Sequence, residues 1–87
     1  MSKGYEVSTN SLIFTGRGAI SSVVLSASTT NSAVVVYDNT SATGTILITI
    51  KAAANTSHTS YFGSKSFETG VYVAVTGAGA KAYIELR

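Results

Sequence analysis

The sequence predicts a single all-β domain in which antiparallel strands form two packed sheets, a small β-sandwich. Three observations lead to this prediction. Val, Ile, Thr, Tyr and Phe dominate the segments between turns, and these side chains fit a pleated strand. Turn-forming clusters of Gly, Asn, Ser and Thr recur every ~8–12 residues, a spacing typical of sandwiches and small barrels. In several segments apolar residues alternate with the period of two that a strand with one buried face requires.

The chain of 87 residues is predicted to divide into an N-terminal arm at 1–10 and a sandwich domain at 11–87. The first segment is assigned to an arm because it is polar and weakly patterned. In the sandwich domain, turn residues separate seven segments of strand composition. The Gly77-Ala78-Gly79 turn is expected to join the last two strands as a hairpin. The predicted strands are 11–15, 19–27, 32–38, 45–51, 58–62, 71–76 and 80–86.

The alternating apolar residues of three strands are predicted to form the core. Each set occupies every second position of its strand, so its members share one face of the sheet. The sets are Ile46, Ile48 and Ile50; Val71, Val73 and Val75; and Ala80, Ala82, Ile84 and Leu86.

The outward faces of several predicted strands also carry apolar and aromatic side chains. Val35, Tyr37, Tyr72 and Tyr83 lie on faces that point away from the predicted core. A chain in which only 11% of the residues are charged is poorly equipped to expose such faces to water. We therefore predict that these residues lie at contacts with another subunit or partner, together with Arg17 at the tip of a turn. The competing interpretation is that the tyrosines are scattered over an ordinary surface and that Arg17 is solvated.

The size of the domain independently predicts a homo-oligomer. Domains this small bury little core, and they usually add disulfides, a bound metal or oligomerisation. The chain has no Cys and one His, so neither a disulfide nor a closed zinc site is available. Self-association is the stabilising device that remains.

No catalytic, cofactor-binding or metal-binding residues are predicted, so the chain is expected not to be an enzyme. The only His, His58, has no nucleophile motif to serve, and the four carboxylates lie in different segments. Asp38 is expected to accept hydrogen bonds from backbone amides of its own turn. The six basic residues are spread singly and no long apolar run occurs, so neither nucleic acid nor a membrane is an expected partner.

Three stretches of the chain resemble small structural proteins of tailed-bacteriophage virions. In 33–45 (AVVVYDNTSATGT) a strand ends in Tyr-Asp, a Ser/Thr/Gly loop follows, and an Ile/Leu-rich strand comes next at 46–50. The stretch 67–73 (FETGVYV) is similar to the approach of those proteins to a late strand, and 75–84 (VTGAGAKAYI) is similar to their final hairpin. The likeness covers roughly residues 18–86.

The resemblance implies a β-sandwich or jelly-roll component of the virion, assembled in the host cytoplasm and often trimeric. Such components decorate the head or belong to the tail and fibres. A capsid decoration (cement) protein, which stabilises the phage head and contacts the major capsid protein or another virion protein, is preferred because it can be one bare domain, whereas fibre proteins usually carry long extensions. The resemblance brings no catalytic residues. The alternatives are a tail or fibre component, a carbohydrate-binding β-sandwich module, which would usually expose Trp or clustered Tyr, and, with the least support, a hydrolase.

Overall fold

The computed structural model describes residues 3–87, which form eight β-strands and no helix. All strand pairs are antiparallel, and the strands are divided between two packed sheets, so the predicted all-β sandwich is confirmed. The strands are β1 (Lys3–Val7), β2 (Ser11–Thr15), β3 (Gly18–Ser26), β4 (Ser32–Tyr37), β5 (Ile46–Ala52), β6 (Ser57–Phe67), β7 (Gly70–Thr76) and β8 (Lys81–Leu86).

The order of the strands is that of a jelly roll. Sheet I has the order β1-β8-β3-β6, and sheet II has the order β2-β7-β4-β5. The pairs β1–β8, β2–β7, β3–β6 and β4–β5 are the rungs of one long hairpin that turns between β4 and β5. Rolling this hairpin onto itself creates the two further pairs, β3–β8 and β4–β7, and gives the double-sheet jelly-roll architecture.

The core lies between the two sheets and is built by alternate residues of both. Of the predicted core residues, those of β8 and its preceding turn are all buried, and so are Val71, Val73, Ile48 and Ile50. Val75 is half-buried and packs against the core. Ile46 is the exception, because 54% of its side chain is exposed. A β-bulge at Leu47 shifts the register, so that Ile46 pairs with Tyr37 on the outer face.

The N-terminal segment is part of the sandwich. Residues 3–7 form β1, the edge strand of sheet I, and pair with β8. Tyr5 and Val7 lie opposite Ile84 and Ala82, on the side of the sheet that faces the core. The predicted arm at 1–10 is therefore an edge strand from Lys3 to Val7, while Met1 and Ser2 lie outside the described residues.

The predicted hairpin of the last two strands was wrong. β7 belongs to sheet II and β8 to sheet I, so residues 77–80 cross from one sheet to the other. In a jelly roll the neighbours of a strand come from distant parts of the chain. A short Gly-rich connection can lead from one sheet to the other as readily as it can close a hairpin within one sheet. The weak strand predicted at 58–62 is longer, Ser57–Phe67, because most of its length pairs with β3.

Candidate functional site

The outer face of sheet II carries a row of apolar side chains that crosses all four strands. Leu12 of β2 lies opposite Tyr72 of β7, Tyr72 opposite Tyr37 of β4, and Tyr37 opposite Ile46 of β5. We call these residues the apolar row. Its ends are exposed, by 45% at Leu12 and 54% at Ile46, while the two tyrosines between them are half-buried.

Two β-bulges place the ends of the apolar row on the outer face. The register shifts between Leu12 and Phe14 in β2, and again where Ile46 pairs with Tyr37. The extra residue in each case, Ile13 or Leu47, packs against the core. An extra residue reverses the alternation of a strand, so the apolar residue before each bulge turns away from the core.

The rows beside the apolar row become progressively more polar. The adjoining row contains Ala74, Val35 and Thr49, and the next contains Thr76, Ala33 and Lys51. These two rows and the apolar row contain one charged side chain, that of Lys51. Sheet II therefore presents an outer face that is apolar at one end and uncharged over most of its area.

The residues predicted at subunit contacts fall into separate places. Tyr37 and Tyr72 are a cross-strand pair, and Val35 lies in the row beside them. Tyr83 is on the outer face of sheet I, on the opposite side of the sandwich. Arg17 is exposed in the turn between β2 and β3. One flat interface can therefore contain Val35, Tyr37 and Tyr72 but cannot also contain Tyr83.

The outer face of sheet I contains an open groove of about 470 Å³. Its floor is formed by β1, β8 and β3, and its lining includes the side chains of Glu6, Ser22, Val24, Tyr83 and Glu85. Tyr83 is 41% exposed, and Tyr61 of β6, which pairs with Ser22, is 83% exposed. The sheet thus brings Glu6 and Tyr61, from distant parts of the chain, close to Tyr83 and Glu85 of β8.

Glu6 and Tyr83 interact directly across the β1–β8 pair. The Tyr83 hydroxyl donates a hydrogen bond to the Glu6 carboxylate. This bond, the negative charge of Glu6 and, least, partial burial raise the pKa of Tyr83 above its ordinary value. The interaction places the Tyr83 ring beside Glu6 at one wall of the groove.

Asp38 joins two loops of the domain. The sequence had suggested that it accepts hydrogen bonds from its own turn, and this prediction was wrong. The Asp38 carboxylate accepts hydrogen bonds from the backbone N–H groups of Glu68, Thr69 and Gly70, the shortest being 2.8 Å from Thr69. The side chain of Asn39 bonds within the Asp38 loop instead, to Thr40 and Thr43. Burial raises the pKa of Asp38, but the three backbone donors outweigh burial and hold this pKa below its ordinary value.

Replacing Asp38 with Asn should lower the free energy of unfolding at neutral pH by about 1–2 kcal/mol, because the backbone donors then meet a neutral amide oxygen, a weaker acceptor than the carboxylate. Because the folded pKa of Asp38 is depressed, the stabilisation is present above the unfolded pKa of about 3.9 and disappears as pH falls through the folded pKa. Urea unfolding at a series of pH values should therefore show the two proteins converging below about pH 4. An equal difference at pH 3 and pH 7 would contradict this role.

Neither metal-site geometry nor a membrane-spanning helix is present in residues 3–87. No group of three or more His, Asp or Glu side chains in this range is placed to hold a metal ion. In the same range no helix is long and apolar enough to cross a membrane. His58 is exposed on β6.

The sequence interpretation did not identify Leu12, Ile46, Tyr61 or Glu6 as surface-site residues. Ile46 follows the period of the core and Leu12 lies in a run of three apolar residues, and the bulges that turn both side chains outward have no clear signal in the sequence. Tyr61 and Glu6 become neighbours of Tyr83 only through strand pairing. Comparison with protein-family models, curated proteins and solved structures found no match for this chain.

Proposed function

We propose that this chain is a non-enzymatic structural protein of a phage virion, most specifically a capsid decoration (cement) protein that self-associates through the outer face of sheet II. The observation that carries the proposal is the apolar row, which spans the width of the sheet and leaves both its ends exposed. The double-sheet jelly roll supports the proposal by analogy, since viral capsid domains use this architecture.

A second copy of the chain is the occupant that best suits the apolar row. Tyr37 and Tyr72 can bury their rings in a contact while their hydroxyls keep a polar partner, as interface tyrosines do. Few charged side chains adjoin these tyrosines, so association would remove water from few strongly hydrated groups. An 87-residue domain without Cys also has a thin margin of stability that association would increase.

The trimeric state and the position on the head rest on the resemblance to tailed-phage proteins. A trimer of the chain would contact the major capsid protein or another virion protein through surfaces outside the apolar row. A tail or fibre component is the second candidate, and it is favoured by the same features. The position in the particle distinguishes the two.

Deleting the gene from the virus that carries it should test the proposal. We expect particles that still assemble but lose their DNA at a lower temperature, because the stabilising coat of subunits is missing. Adding back the purified protein should restore the heat resistance, whereas a variant with Tyr37→Asp should not. Fluorescence of a DNA dye during heating measures the release.

Mass spectrometry and electron microscopy of purified particles provide the control. The protein should be present in many copies on the head surface. Particles that contain none of it would refute the virion role, and copies confined to the tail would favour the second candidate.

A further inference from the structure

The groove on sheet I is a site that the proposed structural role does not use. It lies on the opposite side of the sandwich from the apolar row, so association through sheet II would leave it open to solvent. Its volume of about 470 Å³ falls within the range of small-molecule sites. The groove combines an apolar floor at Val24 with polar groups that converge from three strands.

Two exposed aromatic rings lie at the groove and beside it. Tyr83 belongs to β8 and Tyr61 to β6, with β3 between them. Two strand spacings separate these strands by about 10 Å. Ser22 pairs with both Tyr61 and Glu85, so a small side chain lies on the path between the rings. A ligand with flat apolar surfaces can thus contact both rings across a low floor.

The polar groups at the groove are mainly hydrogen-bond acceptors. Glu6 and Glu85 are the charged side chains of its lining, and the Ser22 hydroxyl adds a group that both donates and accepts. The hydrogen bond to Glu6 and the negative charge of Glu6 raise the pKa of the neighbouring Tyr83. Lys81 and Arg87 flank this lining on the same outward face, so the local charges balance, and the acceptors match a neutral ligand that supplies many hydroxyl donors.

We propose that this groove binds a neutral oligosaccharide. One sugar ring stacks on Tyr83 and another on Tyr61, because the C–H face of a pyranose is apolar while its edges carry hydroxyl groups. Glu85 and Glu6 accept hydrogen bonds from those hydroxyls, and these charge-assisted bonds are the stronger kind. The site is independent of self-association, so either proposal stands if the other fails.

Isothermal titration and NMR with neutral hexasaccharides built from glucose, mannose or N-acetylglucosamine test this site. We expect at least one of them to bind the full-length protein and to shift the ring signals of Tyr61 and Tyr83. Replacing either tyrosine with Ala should raise Kd at least tenfold. Tyr83→Phe, which keeps the ring, should bind better than Tyr83→Ala.

Matched controls separate the site from effects on folding or association. Tyr37→Ala, the same truncation on the opposite face, should leave the saccharide Kd unchanged. Tyr61 is 83% exposed, so Tyr61→Ala should keep the circular dichroism spectrum of the parent. The proposal is overturned if no neutral hexasaccharide binds at millimolar concentration, if the tyrosine variants bind as the parent does, or if only an anionic polysaccharide or a lysine-rich peptide binds.

Discussion

Replacing Tyr37 with Asp should dissociate the self-associated protein. The new carboxylate would stand in the middle of the apolar row, between Tyr72 and Ile46, where association would strip it of water. Burying an unpaired charge at the centre of a contact costs about 3 kcal/mol, which corresponds to a Kd about 100-fold higher. Sedimentation velocity at micromolar concentration should therefore show monomers of the variant where the parent forms oligomers.

Two further variants make this expectation specific to the apolar row. Tyr61→Asp introduces the same change on the outer face of sheet I and should leave the sedimentation of the parent unchanged. Ile46→Asp alters a residue that is 54% exposed, so it should dissociate the oligomer without unfolding the subunit. A parent protein that sediments as a folded monomer, or a Tyr37→Asp variant that sediments as the parent oligomer does, would contradict the proposed interface.

Replacing Gly70 with Ala should cause a large loss of stability for the addition of a single methyl group. A Cβ at this position would lie 2.8 Å from the backbone oxygen of Phe14 and 3.1 Å from that of Asn39. Both atoms belong to the backbone, so neither can rotate away, and the clash also disturbs the amide that Asp38 binds. Such overpacking costs about 3 kcal/mol. Most of the stability expected of so small a domain, ~3–5 kcal/mol, would be lost.

The effect should appear as a fall in Tm of about 15 °C, since 1 kcal/mol shifts the Tm of a domain this size by several degrees. Gly4→Ala is the matched control, because no atom lies within 4 Å of a Cβ built there. At such a site the change is neutral or slightly stabilising. Calorimetry at one fixed protein concentration compares the variants. If the Gly70→Ala protein had the same Tm as the Gly4→Ala protein, the packing around Gly70 would be able to relax.

Local patterns in the sequence were sufficient to predict the strands after β1, although β6 only in part, and about half of the buried core. In β8 the alternation of Ala82, Ile84 and Leu86 with charged and aromatic residues matches the buried and exposed faces of the strand. Period-two alternation is a property of neighbouring residues, so it survives whatever sheet the strand joins. The pairing of strands is different, because β1 and β8 meet from opposite ends of the chain.

The surface features depended on events that the alternation does not encode. The bulge at Leu47 reverses the face of Ile46, and the side chain expected in the core ends on the surface. Asp38 binds amides 30–32 residues away, although its sequence context suggests a local turn. The groove on sheet I likewise needs β1, β8 and β3 side by side. The alternation of residues predicted outer faces that carry tyrosines. Only the strand topology shows that Tyr37 and Tyr72 lie on sheet II and Tyr83 on sheet I.

Hydroxyl-radical footprinting of the tyrosines tests the central claim most directly, since it reports which face becomes covered on association. The protein is labelled at a concentration where it is dissociated and at one where it is associated, and modification of each tyrosine is read by mass spectrometry. We expect Tyr37 and Tyr72 to become protected on association while Tyr61 and Tyr83 keep their reactivity. Protection of Tyr61 and Tyr83 with Tyr37 and Tyr72 unchanged would contradict association through sheet II.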